Sequence, residues 1–382
     1  SKVNTTVFSM SIICLLLFFT ITIFSSAWSI NVSLKNDLQY GTPADVLVYT
    51  YSDAEGKTAK NILTKVGYNL DNFAEYTESY TYGFDTVTVG SLLTPILNDV
   101  QKDYPNLLVD NYLPVMTISD YNKIASFYGN QTYTLNEDEF ILVADYEQML
   151  QYENKALAKG VTIQIGDKTL HNKYKECVEG LLQMSGNKAN TGIVVVPDDI
   201  DISSSEITEN FLAANFKGDK DEANSELMSY MDEINGEGAV ADTKIDIYTA
   251  STGLSAIMIF IGLYLGIIFL ISSAAILALK ELSDSSDNKE KYGMLRRIGV
   301  DDRKLNKALF IQIGIFFMLP LLVAIIHSVF GIMSASKIME SMSVTTNISS
   351  IAMTALLIIA IYGGYFIVTY FTSKRIINEK SE

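Results

Sequence analysis

The sequence predicts a membrane protein with four transmembrane α-helices and a large extracytoplasmic α+β domain between the first and the second. Two observations carry that expectation. Four stretches of the 382-residue chain, 7–30, 251–279, 308–331 and 349–371, hold no acidic or basic residue apart from His327. Each is long enough for the roughly 20 apolar residues that a hydrocarbon core about 30 Å thick demands. Charge is also segregated. All four arginines (Arg296, Arg297, Arg303 and Arg375) lie beyond residue 279, whereas residues 31–249 hold fifteen lysines, no arginine and thirty-five acids, a net of −20.

The first helix, with an outward extension, is assigned to residues 1–39. Residues 12–19 are apolar in succession, so the helix is apolar all round rather than along one face. A secretory leader has an apolar region of about 7–15 residues followed by a small-residue cleavage site. This run is longer, has no evident cleavage site, and ends at Trp28, which suits an interfacial anchor. It is read as a retained helix that residues 31–39 continue outward. Lysine and arginine near helix ends stay in the cytoplasm. Loop 280–307 carries eight of them against six acids, and the tail adds Lys374 and Lys380. The loop and both termini are therefore expected in the cytoplasm of a bacterial cell, and residues 31–249 outside its plasma membrane.

Residues 40–245 form the expected extracytoplasmic domain. Strands are predicted at 44–51, 86–89, 140–144, 161–165 and 192–196, where β-branched and aromatic residues cluster between turn signals. Helices are predicted at 58–80, 146–159 and 206–235. Gly166-Asp167 reads as a turn, Pro197-Asp198-Asp199 as a strand stop, and Gly236-Glu237-Gly238 as a linker into the second span. The strong negative charge argues against nucleic acid as a partner. It suits a cationic ligand, and equally plain solubility.

The second span is assigned to 246–280, the third and fourth to 308–373, and a cytoplasmic tail to 374–382. Gly262 and Gly266 make a small-xxx-small face that lets two membrane helices approach closely. Pro320 is expected to kink the third span. Residues 281–307 form a cytoplasmic loop. Within it, residues 289–298 read as a short helix, Gly299 sits where a helix C-terminal glycine belongs, and Asp301 suits the N-cap of the next helix.

Chemical motifs are sparse. Gly56-Lys57-Thr58 resembles the end of a phosphate loop, but Tyr51 stands where that motif needs a glycine. Asp219-Lys220-Asp221 opens like a calcium loop, but Ala223 replaces the third ligand. His171 and His327 lack metal-ligand partners at a recognisable spacing. Glu176 and Glu179 flank Cys177 and are expected to raise its thiol pKa, which argues against a reactive thiolate. Cys14 and Cys177 fall on different sides of the membrane interface and cannot pair. No catalytic residue, metal or cofactor is assigned, and the ligand site is left open. N-glycosylation triplets at Asn31, Asn130 and Asn347 would matter only in a glycosylating host.

Residues 291–303, Lys-Tyr-Gly-Met-Leu-Arg-Arg-Ile-Gly-Val-Asp-Asp-Arg, run into the third apolar stretch. This unit resembles the characteristic loop of the FtsX-like permease family of ABC transporters, as does the layout of one span, a large outer domain and three spans. The tail around Thr372-Ser373-Lys374-Arg375-Ile376 is similar to the bacitracin-export-type, antimicrobial-peptide branch. The resemblance implies a non-enzymatic permease subunit whose loop docks on a separate ATP-binding subunit through Met294, Arg296, Arg297, Ile298, Gly299 and Val300. It implies export or membrane release of a peptide antibiotic or similar amphiphile. The alternative is a non-transporting signal transducer that regulates a cell-wall hydrolase or a sensor kinase. Membrane lipid, a cationic peptide ligand, a sensor kinase and a second permease copy are the further candidate partners. Permeases of the bacitracin type carry additional upstream spans, so the chain is expected to be the C-terminal half of a longer permease; four-span exporters of the family offer the other reading.

Overall fold

The computed structural model describes residues 2–51, 57–202, 205–340 and 348–378. Gly56, Asn347, Lys380 and the chain ends Ser1 and Glu382 lie outside the described residues. In chain order, α1 (Lys2–Gly41) is followed by β1 (Val46–Tyr51), α2 (Ala59–Lys65), β2 (Phe73–Gly83), α3 (Val89–Leu93), α4 (Leu97–Asp103), β3 (Val115–Thr117), α5 (Ile118–Phe127), β4 (Glu139–Val143), α6 (Glu147–Lys159), β5 (Thr162–Ile165), β6 (Lys168–Asn172), β7 (Ile193–Val196), β8 (Glu206–Phe216), α7 (Lys220–Met228), α8 (Met231–Gly236) and β9 (Ala239–Thr243). The chain continues as α9 (Lys244–Asp287), α10 (Lys289–Arg297), α11 (Asp302–Glu340) and α12 (Ile348–Asn378). Contacts divide it into a helical unit, Ser1–Ser33 with Leu254–Glu382, and a sheet unit, Leu34–Gly253.

Among the described residues four helices, α1, α9, α11 and α12, are long and apolar enough to cross a membrane. The sheet-bearing α+β unit falls between the first and second of these in sequence. Within the helical unit, small residues set the contacts. A Cβ added at Gly262 would come within 3.1 Å of the Ala27 methyl, and one at Gly266 within 2.5 Å of the Phe24 ring. The expected small-residue face is thus a packing seam against α1. Gly331 of α11 meets Phe18 and Thr22 in the same way. Hydrogen bonds cross between helices as well: the Ser25 hydroxyl donates to Thr354 at 3.2 Å, and the Tyr362 hydroxyl donates to the Phe317 carbonyl at 3.0 Å. Pro320 lies inside an unbroken α11.

The sheet unit holds a mixed sheet in the order β5-β6-β4-β7-β3-β2-β8-β1-β9. β3 pairs with β7, and β4 with β6, in parallel; the other pairings are antiparallel. β8 lies between β2 and β1 and is buried on both faces. Phe211 and Ala213 enter one apolar cluster, while Leu212 and Ala214 enter another on the opposite side.

The expected strands at 44–51, 140–144, 161–165 and 192–196 are β1, β4, β5 and β7, each within two residues of the expected bounds. Gly166-Asp167 is the two-residue turn of the β5–β6 hairpin, with Gly166 at φ +57°. The helix expected at 58–80 stops at Lys65. Gly67 is at φ +88°; its N–H reaches the Thr64 carbonyl at 3.1 Å, and the Tyr68 N–H reaches that of Leu63 at 2.9 Å. These two bonds are a Schellman stop, after which β2 begins. The helix expected at 206–235 is β8 for its first eleven residues. Its Leu-Ala-Ala segment favours a helix locally, but a central strand covered on both faces is a continuous apolar run, and burial overrides propensity. Asp219 is the N-cap of α7, accepting from the N–H groups of Asp221 and Glu222 at 3.0 Å each. At 86–89 Thr88 makes only an isolated bridge to Tyr112, and it caps α3 in a reciprocal box with Ser91. After Gly238 no loop intervenes: β9 pairs along β1 and Thr243 caps α9, its hydroxyl oxygen accepting from the Asp246 N–H at 3.2 Å.

Candidate functional site

The corner between α9 and α11 is built by local chemistry. α10 ends at Arg297 with Ile298 as its C-cap, and Gly299 adopts φ +92°. The Gly299 N–H reaches the Arg296 carbonyl at 3.0 Å and the Val300 N–H reaches that of Leu295 at 3.1 Å, which completes a Schellman motif. A side chain at this φ would be strained, so glycine is required. Asp301 then caps α11, its carboxylate accepting from the Arg303 N–H at 3.1 Å. Four residues, 298–301, separate the helices, and the first and last of them are the caps of the two helix ends.

On this corner Met294 is 56% exposed, Leu295 39% and Ile298 77%. Arg297 and Gly299 are exposed and Val300 is half-buried. Arg296 behaves differently. Its Nε donates to Asp302 Oδ1 at 2.7 Å, its Nη1 donates to the Ile377 carbonyl at 2.6 Å, and its Nη2 donates to Asn378 Oδ1. It therefore ties α10 to the first residue of α11 and to the last turn of α12. A guanidinium with five donors in a fixed fork suits that task better than an ammonium would. Five of the six predicted residues are thus exposed or half-exposed at the corner, and Arg296 is engaged inside the chain. Sequence reasoning missed Leu295, which extends the apolar surface, and also Asp302, Ile377 and Asn378, the partners of Arg296. The carbonyl and the amide at the chain's far end left no signal in the sequence.

Above the corner, α9 buries Leu270, Ala274, Leu277 and Glu281 in one stripe at helical spacing. Glu281 is 0% exposed, and its carboxylate meets no hydrogen-bond partner among the described residues. Sequence reading treated it only as one of the loop's six acids. His327 bonds through Nδ1 to the Val323 carbonyl at 2.8 Å, one turn back on α11. His171 lies 3.3 Å from the Thr162 hydroxyl on the neighbouring strand.

The sheet unit contains a second set of groups that the sequence did not single out. Asp145, just after β4, is 3% exposed and accepts from the Asn190 N–H at 2.7 Å and from the Tyr40 hydroxyl at 3.1 Å. Burial pushes its carboxyl up to about 6. Glu153 of α6 is 2% exposed, and burial pushes it up to about 8. Burial also raises Glu209 of β8 and Asp242 of β9. The Cys177 thiol donates to Glu153 Oε2 at 3.5 Å and is raised by its own burial first and by Glu153 second. Its inertness therefore comes mainly from the fold and from α6, with adjacent Glu176 a minor cause.

Membrane-length helices, an α+β unit between the first two and a capped corner before the third define a multi-pass membrane protein. Comparison with known proteins narrows the class: residues 263–380 match the family model "FtsX-like permease C-terminal", and the chain ends in such a domain. Its curated relatives are ABC transporter permeases. An uncharacterized ABC transporter permease of Bacillus subtilis, YvcS, is 22% identical over 360 residues, covering 89% of this chain and 54% of the relative. The bacitracin export permease BceB of B. subtilis is 35% identical over 92 residues, 24% of this chain and 14% of the relative. The permease YxdM of the same organism is 29% identical over 90 residues, 24% of this chain and 14% of the relative. The chain spans about half the length of YvcS and far less of the other two. A solved lipoprotein structure from Bacillus anthracis covers 49% of the chain and 92% of its own at 12% identity and a TM-score of 0.28, too loose a likeness to carry an argument.

Proposed function

We propose that this chain is the transmembrane permease subunit of an ABC transporter, coupled through the α10–α11 corner to a separate ATP-binding subunit. ATP hydrolysis on that subunit then drives export, or release from the membrane, of a peptide antibiotic or similar amphiphile. In this reading the corner and both termini are cytoplasmic and the acidic sheet unit is extracytoplasmic.

The observation that carries the proposal is the corner itself. A nine-residue helix and its C-cap leave Met294, Leu295 and Ile298 exposed, and clustered apolar groups in solvent mark an interaction surface. The Gly299 motif and the three bonds of Arg296 join that helix to α11 and α12. A push on α10 is therefore passed to two membrane-length helices rather than lost in a loop. Tyr51 in place of the first phosphate-loop glycine supports a separate site for the nucleotide. The printed name of one relative, a bacitracin export permease, supports the substrate class.

The test is Ile298→Asp in the complex with an ATP-binding subunit. We expect the variant to insert at the parent's level and to lose ligand-stimulated ATP hydrolysis by at least about tenfold. A variant that binds the ATP-binding subunit as tightly as the parent and keeps full activity would remove the corner from the coupling path. The purified chain alone is expected to turn over no ATP above background.

A further inference from the structure

Two adjoining cavities open within the sheet unit. One has a volume of about 540 Å³, the other of about 510 Å³, and both are walled by Leu113 and Thr191. Asp145, Glu209 and Asp242 line the first together with Tyr40, Tyr49 and Tyr112, and no lysine or arginine is among the described residues of its wall. The second is mainly apolar, formed by Leu92, Leu93, Leu107, Leu108 and Met149, with Glu153 and Asp103 as its acids. Gly192 lines the first cavity, and the nearest atom to a Cβ added there would be a methyl of Leu142 at 3.4 Å. The same Cβ would lie 3.5 Å from a methyl of Leu113 and 3.9 Å from Glu153 Oε1. The two volumes therefore meet at a common wall formed by Leu113 and Thr191.

The acids of the first cavity come from separate elements and are met by neutral donors. Asp145 takes the Asn190 N–H and the Tyr40 hydroxyl, Glu209 takes the Gln183 amide at 3.0 Å, and Asp242 takes the Tyr49 hydroxyl. Lys188 stands over the Tyr40 ring at 5.0 Å and offsets Asp145 through space, but its ammonium is bonded to Glu179 at 2.5 Å. Among the described residues no three His, Cys, Asp or Glu side chains gather closely enough to hold a metal ion. The carboxylates thus surround a volume rather than a point, and a volume of this size accepts a polyatomic cation. Tyrosine faces in the wall add attraction for an ammonium group. The apolar neighbour has room for a hydrocarbon arm, and pockets that join a few polar anchors to apolar walls are the usual form of a ligand site.

We propose that the two cavities form one binding site for an organic ammonium ion carrying an apolar arm. The ammonium sits in the first cavity against Glu209, Asp242 and the tyrosine faces, and the arm passes Thr191 into the second. The site deepens the permease reading by assigning ligand chemistry to the sheet unit, and it rests on that reading for its place in transport.

Calorimetric titration of the full chain in phosphatidylcholine nanodiscs tests it, with empty nanodiscs as the partition blank. Hexylammonium is expected to bind at least tenfold more tightly than hexanoate and at least fivefold more tightly than ethylammonium. The double variant Glu209→Gln, Asp242→Asn should weaken hexylammonium at least fivefold and leave 1-hexanol unchanged. Thr191→Phe, which places a ring at the wall the two cavities share, should bring hexylammonium down to the affinity of ethylammonium. Equal binding of hexylammonium and hexanoate to the parent overturns the proposal, whether or not either variant folds. So does parental affinity in a double variant with the parent's circular dichroism. The titration contains no nucleotide and no ATP-binding subunit. A null result here leaves the coupling corner standing, and an uncoupled Ile298→Asp chain that still binds hexylammonium leaves this site standing.

Discussion

Glu153 illustrates how much a single buried carboxyl weighs on this chain. Burial lifts it from an ordinary 4.5 to about 8, with Cys177 as its thiol donor and Asp145 adding like charge. The folded chain therefore keeps a proton that the unfolded chain releases. The contribution of Glu153 to stability is greatest below about 4.5, falls as pH rises toward about 8, and levels off above it. Glu153→Gln should flatten that slope. Thermal unfolding in nanodiscs, followed by near-ultraviolet circular dichroism between pH 5 and 8, should show the parent losing a few degrees more than the variant. Equal slopes would mean that Glu153 is not the titrating group. Glu281 carries the same lesson in the helical unit. Its carboxylate is fully buried and meets no hydrogen-bond partner among the described residues, and a buried charge without a partner is costly. Glu281→Gln should raise the unfolding temperature by about 2–4 °C; a lower temperature would mean that the carboxylate is engaged in the functional protein.

At the scale of elements, helix ends and small-residue seams decide most of what the chain does. Gly299 was recognisable because an arginine-rich helix precedes it and an N-cap follows two residues later. Gly67 makes the same two bonds, yet it stands inside a stretch whose polar and aromatic residues also suit a helix, and the strand after it is dictated by pairing with β8. Gly299→Val should strain the corner by about 1–3 kcal/mol and uncouple ATP hydrolysis from ligand while leaving membrane insertion intact. Intact coupling in that variant would show that the break needs no positive φ. Gly266→Val addresses the seam. A Cβ there already falls 2.5 Å from Phe24, whose ring is 1% exposed and cannot swing away. Overpacking of this kind costs about 1–3 kcal/mol, so the unfolding temperature should drop, whereas Gly363→Val, which meets nothing within 4 Å, should change it little.

For the whole molecule, the decisive quantity is the distribution of charge. Eight lysines and arginines in 280–307, against a net of −20 in 31–249, predict opposite sides of the membrane for the two. In a background carrying Cys14→Ser and Cys177→Ser, single cysteines at Lys102 and Lys217 should react with an impermeant thiol reagent in intact cells, and one at Lys289 should not. Labelling at 289 would reverse the topology and with it the placement of the coupling corner.

Spanning helices and the α10–α11 corner were legible in the sequence because both depend on neighbours along the chain. A run of some twenty apolar residues has no soluble solution, and a glycine followed by an N-cap states its own geometry. What tertiary structure alone decided depends on partners far apart in sequence. β8 is a strand because β1 and β2 flank it and two cores cover it. Arg296 is engaged because the end of α12 comes to it. Asp145, Glu209 and Asp242 line one cavity because β8, β9 and the segment after β4 bring them together. Local pattern carries no trace of such encounters, since each is fixed by which surfaces are left to bury once the elements exist.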